Sequence, residues 1–68
     1  MHALDYPRYD YRIERHDGKH YTGSVHGDER DWTRGPQGSF PYSATGAHRK
    51  VAAFPVFFAE CVVVRVTD

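Results

Sequence analysis

Five histidines in 68 residues, with a cluster of carboxylates, make metal binding the first chemistry to weigh. His20 and His26 would share a face of a strand, but six residues at about 3.3 Å rise put them roughly 20 Å apart. His16 and His20 flank a turn, yet no cysteine or third ligand stands at a metal-site spacing. The histidines therefore read as surface side chains, and no metal or other cofactor is expected. Asp28, Glu29 and Asp31 carry the oxygen ligands a hard cation requires. They lack the alternating spacing and the glycine of a calcium loop, so they read as a solvated loop, or as an acidic patch that meets a basic surface on a partner.

Nucleophilic catalysis needs a serine or cysteine beside a base and an orienting group. Cys61 is the single cysteine and sits in a valine-rich run, where desolvation disfavours a thiolate. It reads as a small buried hydrophobe in a reducing compartment. Ser43 has no glycine elbow around it. Gly35, Gly38 and Gly46 match no phosphate-binding fingerprint. No catalytic residue is expected, and the chain reads as a non-enzyme.

Two binding chemistries remain. Arg34, His48, Arg49 and Lys50, with Trp32 and Tyr42 nearby, could grip a single nucleic-acid strand through phosphates and stacking. Against this, nine Lys plus Arg balance nine Asp plus Glu, whereas nucleic-acid binders concentrate a basic excess on one face. Trp32 lies in a charged, glycine-containing segment. Tryptophan is enriched in interface hot spots, and its other reading is a lid over one end of a small core.

These residues are positioned by few elements. Tyr9, Tyr11 and Ile13 alternate with charged residues, the period-two pattern of a half-buried strand. Asp17-Gly18 signals a hairpin, and Tyr21, Gly23 and Val25 continue it. A two-residue loop would put the two apolar sets on opposite faces. A three-residue loop, His16 to Gly18, pairs Ile13 with Tyr21, Tyr11 with Gly23 and Tyr9 with Val25 on one face, and is the expected register. Residues 27–41 read as a long loop that packs through Trp32 and Phe40. Ser43 as cap, an Ala44/Ala47/Val51/Phe54 stripe and Pro55 as stop predict a helix from Ser43 to Phe54. The competing reading is a strand from Lys50 to Phe57. A last strand spans about Ala59 to Thr67, with Val62, Val64 and Val66 facing the core.

The expected fold is α+β: a ββαβ chain with a small antiparallel three-stranded sheet in order 2-1-3, room for a short extra strand near Trp32, and one helix on one face. Tyr9, Tyr11, Ile13, Tyr21, Val25, Ala47, Val51, Phe54 and the three valines form its expected core, in one domain over residues 1–68. The last strand is then an edge with Val63 on its outer side, open to pairing with a second copy. No signal peptide or membrane span is read, so a cytoplasmic protein is expected.

The layout looks like many small orphan proteins of phages and mobile elements, a similarity of size and architecture carried by no particular residues. The leading expectation is a non-enzymatic protein-binding module, in concrete form a phage-encoded inhibitor of the anti-CRISPR kind that occludes a bacterial defence complex. Asp28, Glu29, Asp31, Trp32, Arg34, Phe40, Tyr42 and Val63 are its candidate contacts. The alternative is a small nucleic-acid-binding regulator using Arg34, His48, Arg49 and Lys50.

Overall fold

Ser43 begins a helix. Its backbone is extended and its Oγ accepts a hydrogen bond from the Gly46 N–H at 3.0 Å, satisfying one of the free donors of the first turn. The helix, α1, spans Ala44–Ala53, and the Phe54 N–H closes it on the Lys50 carbonyl. Pro55 follows, and residues 54–60 form tight turns rather than the competing strand. The computed structural model describes residues 8–35 and 37–66. The leader-free reading of the N-terminus, Pro36 of the expected loop and the expected end of the last strand at Thr67 lie outside them.

The hairpin joins β1 (Tyr11–Glu14) to β2 (Lys19–Tyr21). Glu14 stands opposite His20, which puts Ile13 opposite Tyr21 as the side-chain parity requires. The Arg15 N–H reaches the Lys19 carbonyl at 2.8 Å and the Gly18 N–H reaches the Arg15 carbonyl at 2.9 Å. His16 to Gly18 is thus the loop, with Gly18 at φ +86°, where a side chain would be strained.

Beyond Tyr21 the expected strand does not continue. Gly23, at φ +89°, turns the chain out of the sheet, and Val25 and Tyr9 are exposed rather than buried. Residues 40–42 fill the place left beside β1. The Phe40 N–H donates to the Tyr21 carbonyl at 2.9 Å, and Tyr11 and Tyr42 exchange backbone hydrogen bonds at 3.0 and 2.9 Å.

The sheet has four strands, not three, because the stretch near Trp32 is a full member: β3 (Trp32–Arg34) pairs antiparallel with β2, Tyr21 facing Trp32. With β4 (Val62–Arg65) antiparallel to β1, the order is β3-β2-β1-β4. The face of β4 is the reverse of the expected one. Ile13 pairs with Val63, so Val63 and Cys61 pack on the core while Val62 is exposed. Val63 is therefore not an outward contact. A run of three valines has no alternation to declare its face, and the register with β1 decides it.

The helix packs over β1 and β4. Ile13, Tyr21, Ala47 and Phe58 are buried at the centre, with Tyr11, Trp32, Tyr42, Val51, Cys61 and Val63 packed around them. Phe54, expected in this core, is 51% exposed, and Phe58 takes the central position from the turn after the helix. Among the described residues no helix is long and apolar enough to cross a membrane.

Candidate functional site

The acidic loop is engaged within the chain. Asp28 caps the short 3-10 turn Glu29–Asp31 by accepting from the Arg30 N–H at 2.9 Å, and its carboxylate pairs with the Arg30 guanidinium at 2.9 Å. Glu29 bridges Arg15 and Lys19, each at 3.0 Å, and Arg15 also holds Asp17. Asp31 is fully buried. Its Oδ1 accepts from the Ser24 hydroxyl at 2.6 Å and the His26 N–H at 3.0 Å, while Oδ2 accepts from the Gly27 N–H at 2.6 Å. Its own carbonyl accepts the Thr22 N–H at 2.8 Å, so one aspartate closes the loop that leaves β2 and returns as β3.

These partners stabilise the charged carboxylates. Hydrogen bonds from Arg15 and then Lys19 hold Glu29 down at about 2. Asp17 is held far below the usual carboxylate range by Arg15, and Asp28 is lowered by Arg30. Asp31 is lowered by the Ser24 hydroxyl first and then by the His26 and Gly27 amides, against the opposing effect of burial.

Trp32 stands at the edge of the core inside an aromatic cluster. Its ring is 5.6 Å from Tyr21 and stacks on Phe57 at 6.0 Å with planes 22° apart, while the Arg15 guanidinium lies 4.8 Å over it. Phe40 packs on Tyr42 at 4.7 Å, near Gly23. Burial raises the Tyr42 phenol to about 12.

An apolar patch missing from the sequence expectations adjoins this cluster. Val25 and Val56 are 86% and 89% exposed, and Phe54 and Phe57 are also open to solvent. Val25, Phe54, Phe57, Phe58 and Tyr21 form the apolar walls of an open groove of about 240 Å³, with Ser24, Gly27 and Lys50 its polar members. The signal available beforehand was Phe54-Pro55-Val56-Phe57-Phe58, more large apolar side chains than one short turn can bury. Only Phe58 goes inside.

The basic candidates differ from the acidic ones. Arg34, His48 and Arg49 are exposed, and neither they nor Lys50 has a carboxylate within ion-pair distance among the described residues. Lys50 Nζ instead lies 4.8 Å over the Phe54 ring. The described carboxylates all have internal partners: besides those above, Asp10 pairs with Arg65 at 2.9 Å, and Glu14 and Glu60 approach His20 and His16 at 3.5 and 3.3 Å. Among the described residues, Arg34, Arg49 and Lys50 are thus basic side chains without a carboxylate partner.

Burial raises the Cys61 thiol, which opposes a reactive thiolate. No group of three or more His, Cys, Asp or Glu among the described residues is placed to hold a metal ion. Comparison with protein-family models, with curated proteins and with solved structures finds no match to this chain.

Proposed function

We propose that this protein is a non-enzymatic protein-binding module that docks through the patch of Val25, Phe54, Val56 and Phe57. The observation that carries the reading is the exposure of Val25, Phe54 and Phe57 along one groove over Tyr21 and Phe58, with Val56 exposed in the turn between Phe54 and Phe57. Burying such side chains contributes about 1.5–3 kcal/mol each, and clustered exposed apolar residues mark interaction sites. The patch replaces the acidic loop as the leading contact surface, because Asp28, Glu29 and Asp31 already have partners. The inhibitor form, an anti-CRISPR type of protein occluding a bacterial defence complex, rests on the size and layout of the chain alone.

Val56→Glu tests the reading, since a charge at so exposed a position leaves a fold within about 0.5 kcal/mol of its stability. Affinity capture from a bacterial lysate is expected to recover a stoichiometric partner with the native chain. With Val56→Glu the recovery falls by about tenfold or more, while circular dichroism and melting stay unchanged. Equal recovery by both proteins, or no partner with either, counts against the patch.

A second reading, a nucleic-acid-binding regulator, draws on the unpaired Arg34, Arg49 and Lys50. Its mark is binding of a single-stranded oligonucleotide that weakens steeply with salt.

A further inference from the structure

Among the described residues that line the groove, one is charged, and that charge is positive. Lys50 is the only charged residue lining it, and the ammonium is held over the Phe54 ring with no carboxylate beside it among the described residues. The two hydroxyls of the lining and the Gly27 N–H have partners within the chain. The Tyr21 hydroxyl donates to the Ser24 carbonyl at 2.7 Å, the Ser24 hydroxyl to Asp31, and the Gly27 N–H to Asp31. The buried Asp31 charge behind that wall is met by these donors and by the His26 amide. Among the side chains of the lining, what remains to recognise a ligand is apolar surface and a single cation.

Size narrows the occupant. Pockets for small molecules and cofactors run from about 300 to 1,000 Å³. A groove of about 240 Å³ that opens widely to solvent suits a side chain or two delivered by a macromolecule. Its walls are mostly aromatic, which favours an aromatic or branched aliphatic anchor.

Resting on the docking reading above, we infer that the groove takes an acidic peptide segment of a protein partner: an apolar side chain seated against Phe54 and Phe57, flanked by a carboxylate that pairs with Lys50. Complementary charge at a partly desolvated site sets which sequences are accepted, and a basic segment is rejected by like-charge repulsion. A nucleic-acid base could stack on these walls, but its phosphates meet a single cation there rather than a basic track, and so nucleic acid becomes an outcome of the test.

Trp32 is the only tryptophan, and it stacks on Phe57 in the groove wall, so its emission reports occupancy. Three terminally blocked pentapeptides serve as probes: a central phenylalanine among glutamates, the same phenylalanine among lysines, and a central alanine among glutamates. A short oligothymidylate is titrated alongside them. The expected result is a saturable shift with the first peptide at least about tenfold tighter than with any other probe. Lys50→Glu, which exchanges residues of similar helix propensity, is expected to invert the preference toward the lysine-flanked peptide with circular dichroism unchanged.

Equal binding of the acidic and basic phenylalanine peptides overturns the inference. So do an unchanged preference in Lys50→Glu, tighter binding of the oligothymidylate, and the absence of any saturable shift. If the peptides fail while lysate capture still depends on Val56, this inference falls and the docking reading stands.

Discussion

Asp31→Asn is expected to lower the melting temperature by roughly 10 °C or more, although it replaces one oxygen by a nitrogen of nearly the same size. The reason is donor direction. One oxygen of Asp31 serves Ser24 and His26, and the other faces the Gly27 N–H. An asparagine can keep the first acceptor, but its amide then points a donor at a donor, and the negative charge is lost. Because Asp31 joins the start of the loop at Thr22 to its return as β3, the loss spreads to the strand that carries Trp32.

The pH dependence follows with a definite sign. A carboxyl whose folded pKa lies below its unfolded value of about 3.9 contributes stability that is present above that value and lost as pH falls through the folded pKa. Asp31, Asp28, Asp17 and Asp10 are lowered, and Glu29 is held at about 2, so the native chain loses stability from about pH 4 toward pH 2. Thermal melts across that range are expected to show a shallower acid limb in Asp31→Asn than in the native chain. An unchanged melting temperature at pH 7 would remove Asp31 from its structural role.

Gly23→Ala is expected to destabilise by about 2–5 kcal/mol, from a left-handed backbone that costs a side chain about 1–2 kcal/mol and an overpacked contact that costs about 1–3. Gly23 sits at φ +89°, and a Cβ there would overlap the Phe40 ring. Phe40 cannot yield freely, since its N–H is bonded to Tyr21 and its ring packs on Tyr42. In a domain of this size the melting temperature falls by roughly 10 °C or more. Adding Phe40→Ala is expected to recover part of the overlap but none of the backbone strain. A double variant less stable than the sum of the two single changes would show that the overlap is not the cause.

The parts of the fold readable in advance are those where local signals agree. Ser43, Pro55 and the Ala47/Val51 spacing mark the helix ends and buried side, and the alternation around Ile13 and Tyr21 leaves one hairpin register. The parts that were not readable depend on distant partners. Gly23 looks like one more strand residue until Phe40 and Tyr42 arrive to replace it beside β1. The Val62–Val64 run carries no period, so only pairing with Ile13 reveals that Val63 points inward. Phe54 fits the helix stripe, yet Phe58, three residues after Pro55, reaches the centre first.

The candidate site was readable only in part, for a related reason. Sequence shows where charges are, and pairing decides which remain available. Glu29 looks like a free acid and is held by Arg15 and Lys19. Asp31 looks exposed and is the most buried carboxylate of the loop. Trp32 packs at the core edge, as a lid would, and is adjacent through Phe57 to the exposed patch. Val25, Val56 and Phe57 were masked by their ordinary role as core formers, and only the exhausted capacity of a small core leaves them outside.

The surface that meets the partner is the central claim, and hydroxyl-radical footprinting of the captured complex tests it most directly. The expected result is protection of Phe54, Phe57 and Val56 on binding, with Asp28, Glu29 and Arg34 as reactive as in the free chain. Protection centred on Asp28, Glu29 and Arg34, with Phe54 and Phe57 still open, would contradict it.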